Sequence, residues 1–338
     1  GTTYTVANIT SDTVLSVTPV LAANASGASV TAYGVQIKNN AQWDSTFSSG
    51  VSGYGLAAAK WPGDFGNSLE VSLCPSANAF SNAVVTGNLA ISIGNTTVAG
   101  TSTVFQSELI VGDKIVLKNS SNKVVETLEV AAIASNTSLT LLSAPVSNGT
   151  FVGNTSNTNA WSRQWKYASY FDAAPGTSVY ASARGATDDE VHVIVVDKLG
   201  YFTNVSGTVL ERYPFASKAP DAKTISGDTN YYVNQLNRQS SYVWWLAHVG
   251  TTTSWGTAIA SGTAYGANNA PYTAALTGGN DANEDIADAD IEFGWELFAD
   301  ADQTDVSLLI TGPVQPNTVG TYIVDNISEY RKDCIAFI

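Results

Sequence analysis

Between residues 83 and 150 the chain repeats one pattern, a short Val-, Thr- or Ser-rich run ended by Gly or Asn, roughly every 8 to 12 residues. The runs fall at 88–93, 96–98, 114–117, 124–130 and 138–142. β-branched residues suit a pleated surface, and each Gly or Asn supplies a reversal of direction. This pattern predicts a small inserted all-β module, barrel or sandwich, over 83–150. The run 9–17 echoes 133–141 in pattern. Residues 1–50, with β-type runs at 4–6 and 14–17, therefore read as a β-rich N-terminal part and the remnant of a second such module.

The remainder carries a different signature. Residues 54–60 suit a short helix or loop, 61–67 a turn, and 68–74 an alternating strand. A polar linker is expected at 147–159. Beyond it the pattern becomes α/β: 190–197 is a near-continuous apolar strand, as expected when both faces are covered. Residues 198–204 read as a turn into a second strand, 207–213 and 231–240 look helical or partly so, 242–249 reads as a strand and 268–285 as loop. Ile291, Trp295 and Phe298 give helical spacing over 288–300. A strand at 305–310, a helix at 319–330 and a strand at 334–338 make a βαβ unit. The expected fold is an α/β (mixed α+β) body, 51–82 and 151–338, interrupted by the β-module at 83–150.

Composition narrows the function. Fifteen basic against 29 acidic residues give a net charge of −14. A charge of that sign argues against nucleic acid or an anionic membrane surface as partner. Charged residues make up 13%, about half the ~25% of an average globular chain; small polar residues take their place, as in extracellular β-proteins and in particle proteins whose surfaces meet neighbours. No apolar run reaches the roughly 18 residues of a membrane span. Cys74 and Cys334 stand far apart in apolar surroundings and read as small buried hydrophobes. The 338 residues contain no Met, and the chain stops within an apolar run; both features suggest an excerpt of a longer chain.

No constellation points to catalysis. Asp281, Asn283, Asp285 and Glu292 fall at EF-hand-like positions, but Ile286 stands where that loop needs Gly. A solvated acidic loop with Asp288 capping the next helix is the better reading. His192 and His248 lie on strands and are expected to be core or strand-end imidazoles with backbone partners. Asp188 and Asp189 read as a solvated turn. Phosphate-loop, nucleophile-elbow and zinc-helix motifs are missing from the sequence. The aromatics, among them Trp61, Trp161, Trp165 and the Trp244–Trp245 pair, suit core and interface anchoring better than a sugar platform. No enzymatic activity, cofactor or metal is expected.

Eight stretches, in order, resemble the tail sheath proteins of contractile-tailed bacteriophages. They are 58–71 with Trp61, Pro62, Gly63, Phe65 and Gly66; 171–178 with Asp172, Pro175 and Gly176; and 189–200 with Asp197 and Gly200. Next come 217–223, 230–232 and 276–279 with Gly278 and Gly279. Trp295 and Phe298 mark 295–300, and Asp333 and Cys334 mark 331–334. Residues 112–115 and 133–141 are similar to β-modules that decorate phage particles. The resemblance implies a structural subunit of the virion tail, assembled in the host cytoplasm. Its copies would stack in six-fold rings around a tail tube, bounded by baseplate and terminator proteins, and drive the tube through the host envelope by contraction. A glycan-binding adhesin or particle decoration protein is the alternative.

Overall fold

The computed structural model describes residues 5–11, 14–18, 35, 37, 39–51, 53–61, 63–82, 85–153, 158–249, 254–266, 270–281, 286–312 and 316–338. Contacts divide the chain into two units, Gly1–Gly34 and Val35–Ile338. In the first, β1 (Thr5–Ser11) and β2 (Val14–Thr18) form an antiparallel hairpin whose register shifts between Val6 and Asn8 and again between Ile9 and Ser11.

The second unit begins with β3 (Ala57–Ala59), β4 (Leu69–Cys74) and β5 (Ser81–Asn82). A closed barrel follows, built from β6 (Asn88–Ile91), β7 (Thr97–Thr101), β8 (Lys114–Lys118), β9 (Val124–Ser135), β10 (Ser138–Leu141), β11 (Gly149–Gly153) and β12 (Ala160–Gln164). The strand order is β11-β6-β7-β10-β9-β8-β12, and parallel pairing of β11 with β12 closes the ring of seven. Along β8 the period of two turns Ile115 and Leu117 inward and leaves its lysines half-buried outside. Leu89, Val98, Leu128, Leu139 and Phe151 fill the interior with them, and Phe105 enters from a helical turn, Phe105–Glu108. The strands from β6 to β10 coincide with the runs read from the sequence. The expected linker does not: β11 occupies part of it, and β12 supplies Trp161, a fully buried core side chain. Small polar residues around these two strands hide them, because barrel closure rather than local propensity makes them strands.

The body holds β13 (Glu190–Asp197), β14 (Thr208–Ser217), the helix Tyr232–Gln239, β15 (Val243–Trp245) and β16 (Tyr272–Ala275). Its main sheet runs β14-β13-β4-β16 and is antiparallel throughout. Val191, Val193 and Val195 face one core with Leu69, Val71, Tyr232, Leu236 and Trp245. Ile194 and Val196 face another with Trp165, Tyr167 and Phe171. Both faces are covered, as the apolar run implied, although by an antiparallel sheet.

Three segments differ from expectation. Residues 208–213 are strand, not helix: Val209, Leu210 and Tyr213 have helical spacing, but pairing with β13 overrides it. The expected loop 268–285 contains β16, an edge strand entered from Pro271, where a missing N–H costs nothing. Residues 57–59, expected as helix or loop, form β3 and pair with β15.

At the C-terminal end the helix Asp288–Glu296 leads to β17 (Leu308–Ile310). The helical segments Pro316–Gly320, Thr321–Ile323, Val324–Ser328 and Glu329–Arg331 follow one another, and β18 (Ile335–Phe337) then pairs parallel with β17. The βαβ unit is present. Lys332, in the left-handed region, ends the helix. Asp288 is the first helical residue rather than the cap; the Asp290 carboxylate instead accepts the Ala287 N–H. The fold is mixed α+β with a closed seven-strand barrel, additional sheets and short helices.

Candidate interaction site

The turn after β3 and the loop after β13 meet at one end of the body sheet, and aromatic rings collect there. Phe65 packs edge-on against Tyr201 (6.1 Å) and Phe202 (5.3 Å). Phe202 touches Trp61 (6.3 Å) and Tyr242 (5.2 Å) in the same manner. Edge-to-face contacts of this kind add to simple area burial. Trp61, Phe65 and Tyr201 nevertheless remain 51%, 48% and 49% exposed. Each residue is thus held by its ring contacts yet about half exposed.

The support beneath this ledge is polar and tightly paired. Asp197, buried at the end of β13, accepts from Ser68 Oγ (2.5 Å), Gly200 N (3.0 Å), Phe202 N (3.0 Å), Thr203 N (2.8 Å) and Thr203 Oγ1 (2.8 Å). Burial alone would raise its pKa. The hydrogen bonds from Ser68 and Thr203, with the Phe202 amide, outweigh that and hold the carboxyl below the usual range. Ser68 Oγ in turn accepts from the amides of Leu199 and Tyr201. Gly200 sits at φ +87°, where a Cβ would press on the backbone of Val205 and Ser206. Across the ledge Asn67 pairs reciprocally with the Gly279 backbone at 2.8 Å each way, and the Asp64 amide donates to Asp281. A Cβ on Gly279 would lie 2.1 Å from the Gly63 carbonyl oxygen, so only glycine permits this approach.

Of the residues singled out in the sequence, Trp61, Gly63, Phe65, Gly66, Asp197, Gly200, Gly278 and Gly279 thus converge here; Pro62 lies outside the described residues. Asp172, Pro175 and Gly176 lie elsewhere, before β13, where the Gly176 amide donates to Glu190. Trp295, Phe298, Asp333 and Cys334 belong to the C-terminal segment around the βαβ unit. There Trp295 and Phe298 pack together (5.7 Å), Asp333 pairs with Arg331, and Cys334 borders the core. Sequence reasoning missed Ser68, Thr203, Tyr201 and Phe202. The signal available was the turn composition after Asp197, which fits a carboxylate collecting loop amides.

The expected solvated turn at Asp188 and Asp189 is half overturned. Asp189 is fully buried, because Ser178 N, Ser178 Oγ and Ser217 Oγ all donate to it. Beside it Lys218 is equally buried and donates to the carbonyls of Pro75 and Asp188. Burial lowers its pKa to about 8 against the opposing pull of Asp189 and Asp188. His192 stacks on Phe171 (4.2 Å), with Nε2 on the Ala173 carbonyl and Nδ1 accepting the Phe215 amide. That amide lies where β14 shifts register, so the imidazole satisfies a donor the ladder leaves. His248 Nδ1 meets Tyr232 Oη at 2.6 Å, a side-chain partner rather than the expected backbone one. Burial pushes both histidines down to about 4. Cys74 is buried and its thiol pushed up to about 12; Cys334 is half-buried. In the acidic segment from Asp281 to Glu292, residues 282–285 lie outside the described residues.

A second polar node joins barrel to body. Arg163 on β12 pairs with Asp113 (3.4 Å), both fully buried, and donates to the carbonyls of Asn78 and Ala79. Glu70 on β4 accepts from Lys166 Nζ (2.6 Å) and Tyr167 Oη (2.9 Å), and Trp165 Nε1 donates to Ser72. Comparison with family models, curated proteins and solved structures finds no match for this chain.

Proposed function

We propose that the chain is a non-enzymatic structural subunit of a contractile phage tail sheath, packing against copies of itself in six-fold rings around a tail tube. The observation that carries this reading is the apolar surface the body turns outward on stiff supports. One part is the ledge of Trp61, Phe65 and Tyr201. Another is the outer face of the β17–β18 pair, where Leu308, Ile310, Ile335 and Phe337 are exposed while Leu309 is buried. Half-held aromatics on a pre-organised frame are what interface anchors require, and apolar patches of this kind mark association surfaces. The ordered sequence resemblance supplies the assembly. Contraction would then draw on two alternative packings of the same subunits, with no nucleotide.

Electron microscopy of the purified, concentrated protein tests this. Hollow helical tubes with six-fold end views are expected, alone or around added tube protein. The glycan-binding reading draws on the same ledge, since Trp61 and Tyr201 are both about half exposed. A specific hit on a glycan array, abolished by Trp61→Ala, in a protein that stays monomeric would overturn the sheath proposal.

A further inference from the structure

The β1–β2 hairpin and the β9–β10 hairpin share one register, pair for pair. In the first, Val6 faces Val17, Asn8 faces Ser16, Ile9 faces Leu15 and Ser11 faces Val14. In the second, Val130 faces Leu141, Ala132 faces Thr140, Ile133 faces Leu139 and Ser135 faces Ser138. Each pair maps onto its counterpart by one constant offset. Both irregularities map as well, one passing over Ala7 and Ala131, the other over Thr10 and Ala134. A one-residue slip would turn every side chain to the opposite face, so a matched register with matched bulges is a specific agreement. The sequences agree too: Val6, Ala7, Ile9, Ser11, Thr13 and Leu15 recur as Val130, Ala131, Ile133, Ser135, Thr137 and Leu139.

A second echo follows at the exit from each stretch. Ala32, Gln36 and Lys38 recur as Ala160, Gln164 and Lys166, with Tyr33 for Trp161 and Ile37 for Trp165. Ile37 and Trp165 are both buried in the body's cores.

We infer that β1–β2 is the hairpin of a second barrel of the same type as the one at 88–164. In the barrel, β9 and β10 are covered on their outer edges by β8 and β7. Among the described residues β1 and β2 pair only with each other, and a two-stranded hairpin is marginal by itself. This inference does not depend on the sheath reading.

Grafting tests it within the 338-residue chain. Residues 5–18 replace 129–142, a segment of equal length, so that Val6, Ile9, Leu15 and Val17 take the places of Val130, Ile133, Leu139 and Leu141. A control graft of residues 6–19 shifts the register by one. Amide exchange in β7 and β8 is expected to stay within about tenfold of the parent for the first graft and to accelerate at least about a hundredfold for the control. The reciprocal graft, 129–142 in place of 5–18, leaves the barrel intact and is expected to keep the protection of the N-terminal hairpin. Retained protection in either in-register graft, with loss in its shifted control, supports a second barrel. Loss in both in-register grafts, or retention in the shifted controls, overturns it.

Discussion

Replacing Asp197 by Asn separates the carboxylate from the shape it occupies. The amide keeps one oxygen, and the favourable orientation points it at Phe202 N, Thr203 N and Thr203 Oγ1. Its NH2 group then faces Ser68 Oγ and Gly200 N. Gly200 can only donate, and Ser68 Oγ is already an acceptor for the Leu199 and Tyr201 amides, so its hydroxyl proton has nowhere else to go. Two buried donors are left opposing donors, at about 1–3 kcal/mol each. We expect a loss of about 3 kcal/mol for Asp197→Asn. Asp197→Ala, which strands every donor of the set, should lose about 5 kcal/mol. With a urea dependence of about 3 kcal/mol/M, the Asn variant should unfold about 1 M earlier, followed by tryptophan fluorescence. Amide exchange at Tyr201 to Thr203 should quicken before the barrel opens. A midpoint within about 0.3 M of the parent, or an Ala variant no weaker than the Asn variant, would refute the view that this carboxylate holds the ledge.

Other outcomes follow from the same geometry. Gly279→Ala should cost about 2–3 kcal/mol by forcing the Gly63 carbonyl away, whereas Gly278→Ala, with open space at φ +83°, should cost only about 1 kcal/mol; thermal melting in the reverse order would contradict this. His192 and His248 titrate near 4 when folded, against about 6.5 unfolded. The unfolded chain therefore binds more protons below pH 6.5, and stability should fall from about pH 6.5 towards pH 4. A His192→Gln/His248→Gln variant whose urea midpoint keeps the full slope would rule this out. Under the sheath proposal, Trp61→Ala should lower stability by no more than about 2 kcal/mol yet abolish sedimenting assemblies; unchanged assembly would remove the ledge from the interface. Arg163→Ala should cost about 3–5 kcal/mol by leaving the Asp113 carboxyl buried without its cation, with only the Ile110 and Lys166 amides donating to it, and Arg163→Ala/Asp113→Ala should recover part of it in the same denaturation assay.

Local chemistry made some of this legible and topology concealed the rest. β6 to β10 could be read because each is a local run closed by its own turn residue, and β13 because it is apolar on both faces. β12 and β16 could not. Each is a strand through partners far away in sequence, β12 through β8 and β16 through β4, and their compositions resemble loop. The ledge was half visible: Trp61, Phe65, Asp197 and Gly279 were marked by resemblance, while the Ser68 and Thr203 hydroxyls that organise it carry no pattern of their own. Asp189 was misjudged for the same reason, since a buried aspartate and a solvated one look alike until their donors are known.

The two crossings between body and barrel lie side by side. β5 leaves and β12 returns as an antiparallel pair, Asn82 opposite Arg163 and Ser81 opposite Gln164. In mechanical terms this is a bracket rather than a tether. A load applied to the far end of the barrel divides between two strands and meets the Arg163 clamp on the Asn78 and Ala79 carbonyls before it reaches the body core. A torque about the joint must shear that ladder instead of turning one flexible peptide. The barrel is thus joined to the body by two paired strands and the Arg163 clamp, not by a single peptide.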